Sequence, residues 1–195
     1  MAWAKNGTPL TLGSSASDLD ITDLTATTFN QFLIHSLTVG GENVHIFTFD
    51  NNVNTDYARR RSNNGGADST TINQDRIEYY GGEANDRFEI IYGVNISGEE
   101  KLQIHNLVNF GSASGAGNAP SRAEAVSKVD TTTNSGQYTR IDCNANTSGN
   151  YDTSSNISAL GSEGVESMTV QDGAVYYDTD LNKSYVLNGS TWTEL

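Results

Sequence analysis

The segment Asp50-Asn51-Asn52-Val53-Asn54-Thr55-Asp56 places oxygen-bearing side chains at alternate positions, as a calcium loop does. An EF-hand needs glycine at the sixth position and a bidentate glutamate at the twelfth. Here those positions hold Thr55 and Arg61, so the segment reads as a turn between strands. Asp178-Thr179-Asp180-Leu181-Asn182 repeats the partial pattern with Lys183 and Gly189 at the two test positions, and reads the same way. His35, His45 and His105 fall on different candidate strands without a histidine two or four residues away, so zinc is not expected. A serine nucleophile in a Gly-x-Ser-x-Gly elbow is missing too, because Gly111-Ser112-Ala113-Ser114-Gly115 carries alanine at the reacting position. Adjacent Glu99 and Glu100 would point to opposite faces of a strand and make a poor acid/base pair. The expectation is a protein that is not an enzyme, with no catalytic residue, no metal and no cofactor.

Binding chemistry is easier to place. Arg59-Arg60-Arg61 is a basic cluster on an acidic chain, suited to charge-assisted contacts with carboxylates of a neighbour. Trp3 near the terminus is a large aromatic able to anchor an N-terminal arm in a groove of this subunit or the next. Tyr177, Tyr185 and Trp192 can pack across a terminal meander. These seven residues are the expected partner-binding set.

Charge narrows the partners. Eleven Lys and Arg face 24 Asp and Glu, a formal net charge of −13. Binding nucleic acid requires phosphate-neutralising cations, so that role is excluded, and an anionic membrane surface is disfavoured for the same reason. Cys143 is the single cysteine and forms no internal disulfide. The N-terminus lacks the apolar core of a signal peptide and no segment has the length of a membrane span, so synthesis in the cytoplasm is expected.

The elements that must position these residues are strands. No window holds helical apolar periodicity, while short alternating runs recur between turn clusters. Candidate strands cover 8–12, 19–24, 29–39, 44–49, 74–80, 87–95, 101–110, 123–129, 138–143 and 156–160. Phe88, Ile90 and Tyr92 share one face of their strand, with Glu89, Ile91 and Gly93 on the other; Leu102, Ile104 and Val108 line up likewise. Residues 50–71 and 111–120 read as long polar or small-residue connections. The expected fold is an all-β, antiparallel β-sandwich, jelly-roll-like, over residues 1–161. A flexible joint at Gly161-Ser162-Glu163-Gly164 leads to a small C-terminal β-meander over 165–195, where Asn188-Gly189 is a strong hairpin signal.

The terminal run Gly173-Ala-Val-Tyr-Tyr-Asp178-Thr-Asp-Leu-Asn-Lys183-Ser-Tyr-Val-Leu-Asn188-Gly-Ser-Thr-Trp192 resembles a segment found repeatedly in structural proteins of tailed bacteriophages, tail fibres among them. It covers about a sixth of the chain. Residues 1–160 are similar to structural-type proteins of marine tailed phages. That likeness is carried by Met1-Ala-Trp3, Phe49-Asp-Asn-Asn52, Asn63-Asn-Gly-Gly-Ala-Asp68, Asn95-Ile-Ser-Gly-Glu-Glu-Lys-Leu102 and Gly115-Ala-Gly-Asn-Ala-Pro-Ser-Arg122. The resemblance implies a virion location and supplies no site. The expected function is a capsid decoration (cement) protein that docks on the shell. The alternative is a tail fibre or baseplate component binding host-surface glycans. Expected partners are copies of the chain itself, in a homo-oligomer such as a trimer, and the major capsid protein or other virion proteins.

Overall fold

The computed structural model describes residues 3–39, 45–79, 86–109, 115–130, 135–145, 149–164, 173–188 and 191–195, without the side chains of His45 and Tyr79. Val44, Tyr80 and Phe110 at the ends of expected strands, residues 111–114 of the small-residue connection, residues 165–172 of the expected meander and Gly189 of the Asn-Gly turn lie outside the described residues. The chain divides into two compact units, Ala2–Gly164 and Val165–Leu195.

The large unit is an all-β antiparallel sandwich. Among the described residues its strands are β1 (Ala4–Lys5), β2 (Leu10–Thr11), β3 (Phe29–Ser36), β4 (Thr38–Val39), β5 (His45–Phe49), β6 (Tyr57–Asn63) and β7 (Ser69–Gln74), followed by β8 (Ile77–Tyr79), β9 (Arg87–Val94), β10 (Lys101–Asn109), β11 (Ser121–Val129), β12 (Ile141–Ala145), β13 (Asn150–Tyr151) and β14 (Asn156–Ser162). The main sheet has nine strands in the order β1-β14-β3-β9-β10-β11-β6-β7, with β2 also pairing β14. A three-stranded sheet, β12-β5-β8, forms the second layer. Between the layers sit Phe32, Ile34 and Ile91 from the main sheet and Phe47, Phe49, Ile77, Ile141 and Cys143 from the smaller one. Tyr138 closes this core, its ring 4.3 Å from that of Phe49 and 6.4 Å from that of Phe32.

Three expectations change. Residues 50–71 are not a long connection: they hold β6 and the first half of β7, a hairpin closed by Asn63-Asn64-Gly65-Gly66. Asn64 and Gly65 have φ of 51° and 73°, and Gly66 N–H donates to Asn63 O at 2.8 Å, the geometry of a type I′ turn. The N-terminal segment is not a free arm, because β1 and β2 add to β14, and Leu19, Ile21 and Leu24 are buried in the same core as Phe32 and Phe49. Buried Asn6 pins it: its amide donates to Thr25 O and Asn30 Oδ1, both at 3.0 Å, and its carbonyl accepts from Thr25 N at 2.7 Å. The joint at 161–164 is not flexible at its start either. Gly161 and Ser162 complete β14, and a side chain at Gly161 would meet Asn6 Nδ2 and Thr27 Oγ1 at 2.7 Å.

The small unit is a three-stranded antiparallel meander of β15 (Val175–Asp178), β16 (Lys183–Asn188) and β17 (Thr191–Glu194). Tyr176 stands opposite Tyr185, and Leu187 opposite Trp192.

Candidate functional site

On β9, β10 and β11 the alternation is clear, but its phase runs against a simple hydrophobic reading. The face turned into the sandwich carries Arg87, Glu89 and Ile91 from β9, then Lys101, Gln103, His105, Leu107 and Asn109 from β10, all buried. The face turned outward carries Phe88 and Tyr92, then Leu102, Ile104 and Val108, then Val126. Cross-strand register lines these up: Tyr92 opposes Ile104, Ile104 opposes Val126, and Val126 opposes Arg60 of β6. Leu102, Ile104, Val126 and Ile72 are each more than half exposed, and Trp3, Phe88, Tyr92 and Val108 about two-fifths.

Taking about 150–200 Å² for a large apolar side chain, those eight present on the order of 600–700 Å² to solvent. A monomer's largest apolar patch is usually about 300–600 Å², and larger ones mark interaction surfaces. The face is also concave. A groove of about 760 Å³ runs across it, with Trp3 and Phe29 among its lining at one side and Thr70 and Ile72 at the other. Charges on and around the face are balanced: Arg60 pairs with Asp68 at 3.8 Å, Lys128 with Glu100 at 2.5 Å and Arg122 with Glu124 at 3.6 Å.

Beneath this face lies a buried polar relay. Ser127 Oγ donates to Gln103 Oε1 at 2.7 Å and lies 2.9 Å from His105 Nε2; His105 Nδ1 lies 3.3 Å from Glu89 Oε1. Burial pushes the Glu89 carboxyl up to about 8, with Arg87 pulling the other way. Burial pushes the His105 imidazole down to about 3, helped by Arg59. Both groups are therefore neutral at pH 7. The protonated carboxyl donates to Nδ1, the Nε2–H donates to Ser127, and Ser127 passes its own proton towards Gln103.

Serine, histidine and glutamate in that order look like a hydrolase triad. Two features set them apart. The hydroxyl's proton already goes to Gln103, so the imidazole donates to the serine rather than accepting from it. All three side chains face the sandwich interior, His105 at 1% and Ser127 at 6% exposure. The relay's chemistry is that of a buried polar core, hydrogen-bonded along Glu89–His105–Ser127–Gln103 but leaving Glu89 Oε2 and Gln103 Nε2 without a hydrogen-bond partner among the described residues, which fixes strand register at the cost of apolar burial.

The expected partner-binding residues separate. Arg59 points inward and is buried beside the relay, Arg60 points outward and lines the groove, and Arg61 returns to the inward phase, half-buried. A strand, not a loop, carries them, so they form no common cationic face. Trp3 lines the same groove as Arg60. In the meander, Tyr185 stacks on Tyr176 with centroids 5.1 Å apart, and Trp192 meets Tyr176 edge-on at 4.7 Å. Tyr177 stands outside this trio, its hydroxyl donating to Asn182 Oδ1. Tyr176, the hub, is the residue that sequence reasoning passed over; the pairing register alone reveals it. The outer-face residues carried a visible signal, the alternation itself, without an indication of which side faced solvent.

Among the described residues no three His, Cys, Asp or Glu side chains gather as a metal site. The carboxylates of the 50–56 turn are engaged locally: Asp50 accepts from Thr139 N at 2.9 Å and Asp56 from Asn52 Nδ2 at 2.9 Å. Among the described residues no helix is long and apolar enough to cross a membrane. No protein-family model, curated protein or solved structure matches the chain.

Proposed function

We propose that this chain is a non-catalytic structural subunit of a tailed-bacteriophage particle, and within it a capsid decoration (cement) protein that docks on the major capsid protein and stabilises the shell. The observation that carries an assembly role is the outward apolar face of the main sheet, at the upper end of what a free monomer leaves in water. The resemblance of residues 173–192 and of the main unit to phage structural proteins supplies the setting. An acidic exterior, at −13 overall, keeps a protein present at high local copy number from clumping through its other surfaces. Repetition around a shell turns modest contacts into a large total against internal pressure. No nucleic-acid, membrane or cofactor partner belongs to this reading.

A second reading has its own observation. Tyr176 and Trp192 leave about two-fifths of their surfaces exposed on the meander, with Glu194 two residues beyond Trp192 and paired with Lys183 at 2.8 Å, and exposed aromatic faces beside charged groups suit a host-surface glycan bound by a tail fibre or baseplate module. Copy number separates the two. Quantitative mass spectrometry of purified particles against the major capsid protein gives hundreds of copies for a decoration protein. A few to a few dozen copies would overturn that role and move the chain to the tail.

A further inference from the structure

We propose that the outward face of the nine-stranded sheet is the interface through which two copies of this chain pair, sheet against sheet, with Ile104 and Val126 at its centre. The inference deepens the assembly reading above by naming the surface and its occupant.

Area comes first. The apolar part of the face amounts to on the order of 600–700 Å², and a stable interface buries about 800 Å² on each partner. Adding the polar margin, Thr70, Arg60, Lys128 and Glu124, brings one face to that size. The same anatomy, apolar in the middle and charged at the edge, is that of a specific interface.

Charge then selects the occupant. The chain as a whole is strongly acidic, so a basic partner would be drawn to acid-rich surface elsewhere. This face instead holds three cations, each already beside an acid: Arg60 with Asp68, Lys128 with Glu100 and Arg122 with Glu124. Such a face meets no repulsion from a copy of itself. Under two-fold symmetry each cation of one copy can also reach an acid of the other.

Shape agrees. Two twisted sheets stack about 10 Å apart with their side chains interdigitated. The trough between the Phe29 and Ile72 sides accepts bulk from the opposing copy, and Trp3 at its margin is a side chain of that size. Pairing would also give β9, β10 and β11 an apolar layer on the side where they carry most of their apolar residues, the other side being occupied by Glu89, Gln103, His105 and Ser127.

Sedimentation of the full chain from about 1 to 100 µM, the range over which interfaces of this size dissociate or hold, reads the result directly. The native chain should sediment as a dimer. Ile104→Glu with Val126→Glu should weaken pairing at least about a hundredfold, because four carboxylates enter an apolar contact. Val53→Glu, at a side chain 70% exposed in a turn away from this sheet, should leave the dimer intact. Should the double variant fail to fold, Val126→Cys decides. It should crosslink across the symmetry axis under mild oxidation, while buried Cys143 stays out of reach.

A native chain that is monomeric throughout, a double variant that associates as the native chain does, or a Val126→Cys chain that does not crosslink would each overturn the pairing. A monomeric chain that binds purified capsids or an apolar dye at this face would assign the surface to another occupant, with pairing refuted. Particle copy number is independent of all these outcomes, so failure here is distinguishable from failure of the decoration role.

Discussion

Replacing Glu89 by glutamine tests the buried relay most directly. The native carboxyl is held protonated to about pH 8, against 4.5 for the same group in the unfolded chain. A folded-state value raised in this way gives a contribution complete below pH 4.5 and lost as the pH rises to about 8. Over that interval the unfolded chain releases a proton that the fold retains, at about 1.4 kcal/mol per pH step of one. The ceiling is therefore about 5 kcal/mol, and relaxation around Arg87 brings the expected loss to about 2–3 kcal/mol.

Glutamine keeps the shape, can donate an amide hydrogen to His105 Nδ1, and does not titrate. Urea unfolding of native and Glu89→Gln chains at a series of pH values isolates the Glu89 contribution, since every other titrating group is common to both. His105, held down to about 3, works with the opposite sign: its contribution is present above pH 6.5 and lost as the pH falls towards 3. Asp20, raised to about 6 by burial, likewise cancels in the difference. The two chains should be nearly equal at pH 4.5. By pH 8 the variant should be the more stable by about 2–3 kcal/mol, a shift of roughly 1 M in the urea midpoint. Parallel curves, or a variant that weakens as pH rises, would mean that Glu89 is ionised and paired with Arg87, and the neutral relay would be wrong.

Other perturbations have definite outcomes. Asn6→Ala strands the backbone of Thr25 and the Asn30 side chain, and should cost about 2–3 kcal/mol in thermal or urea unfolding. Gly93→Ala places a methyl 2.9 Å from the Tyr138 hydroxyl and should destabilise by about 1–3 kcal/mol, with Tyr138→Phe in the same chain recovering part of the loss. Tyr176→Ala removes the ring that both Tyr185 and Trp192 contact; near-UV circular dichroism should lose its aromatic signal, with about 1–2 kcal/mol lost from the meander.

Much of the fold was legible and its polarity was not. The strands at 87–94 and 101–109 announce themselves by strict alternation, because a half-buried strand has a period of two. Which side is buried depends on partners. Glu89, His105 and Ser127 come from three strands and become neighbours only once the register of β9, β10 and β11 is set. Residues 57–63 hid for another reason. Three consecutive arginines between Ala58 and Ser62, running into Asn63-Asn64-Gly65-Gly66, show no apolar alternation, and β11 supplies the ladder that makes them a strand. The N-terminal segment misled because its anchors are two-residue strands on β14 and the buried amide of Asn6, too short to leave a periodicity in the sequence.

The inverted phase of β9 to β11 also bears on how the chain folds. A strand slipped by one residue turns every side chain over. A nascent three-strand meander here could collapse with Leu102, Ile104 and Val108 inward, a state favoured by raw hydrophobicity. What opposes it is a set of contacts between residues distant in sequence: the Glu89–His105–Ser127 chain and the fit of Gly93 against Tyr138. Local hydrophobic preference therefore opposes the native phase, and the native register rests on those inter-strand contacts.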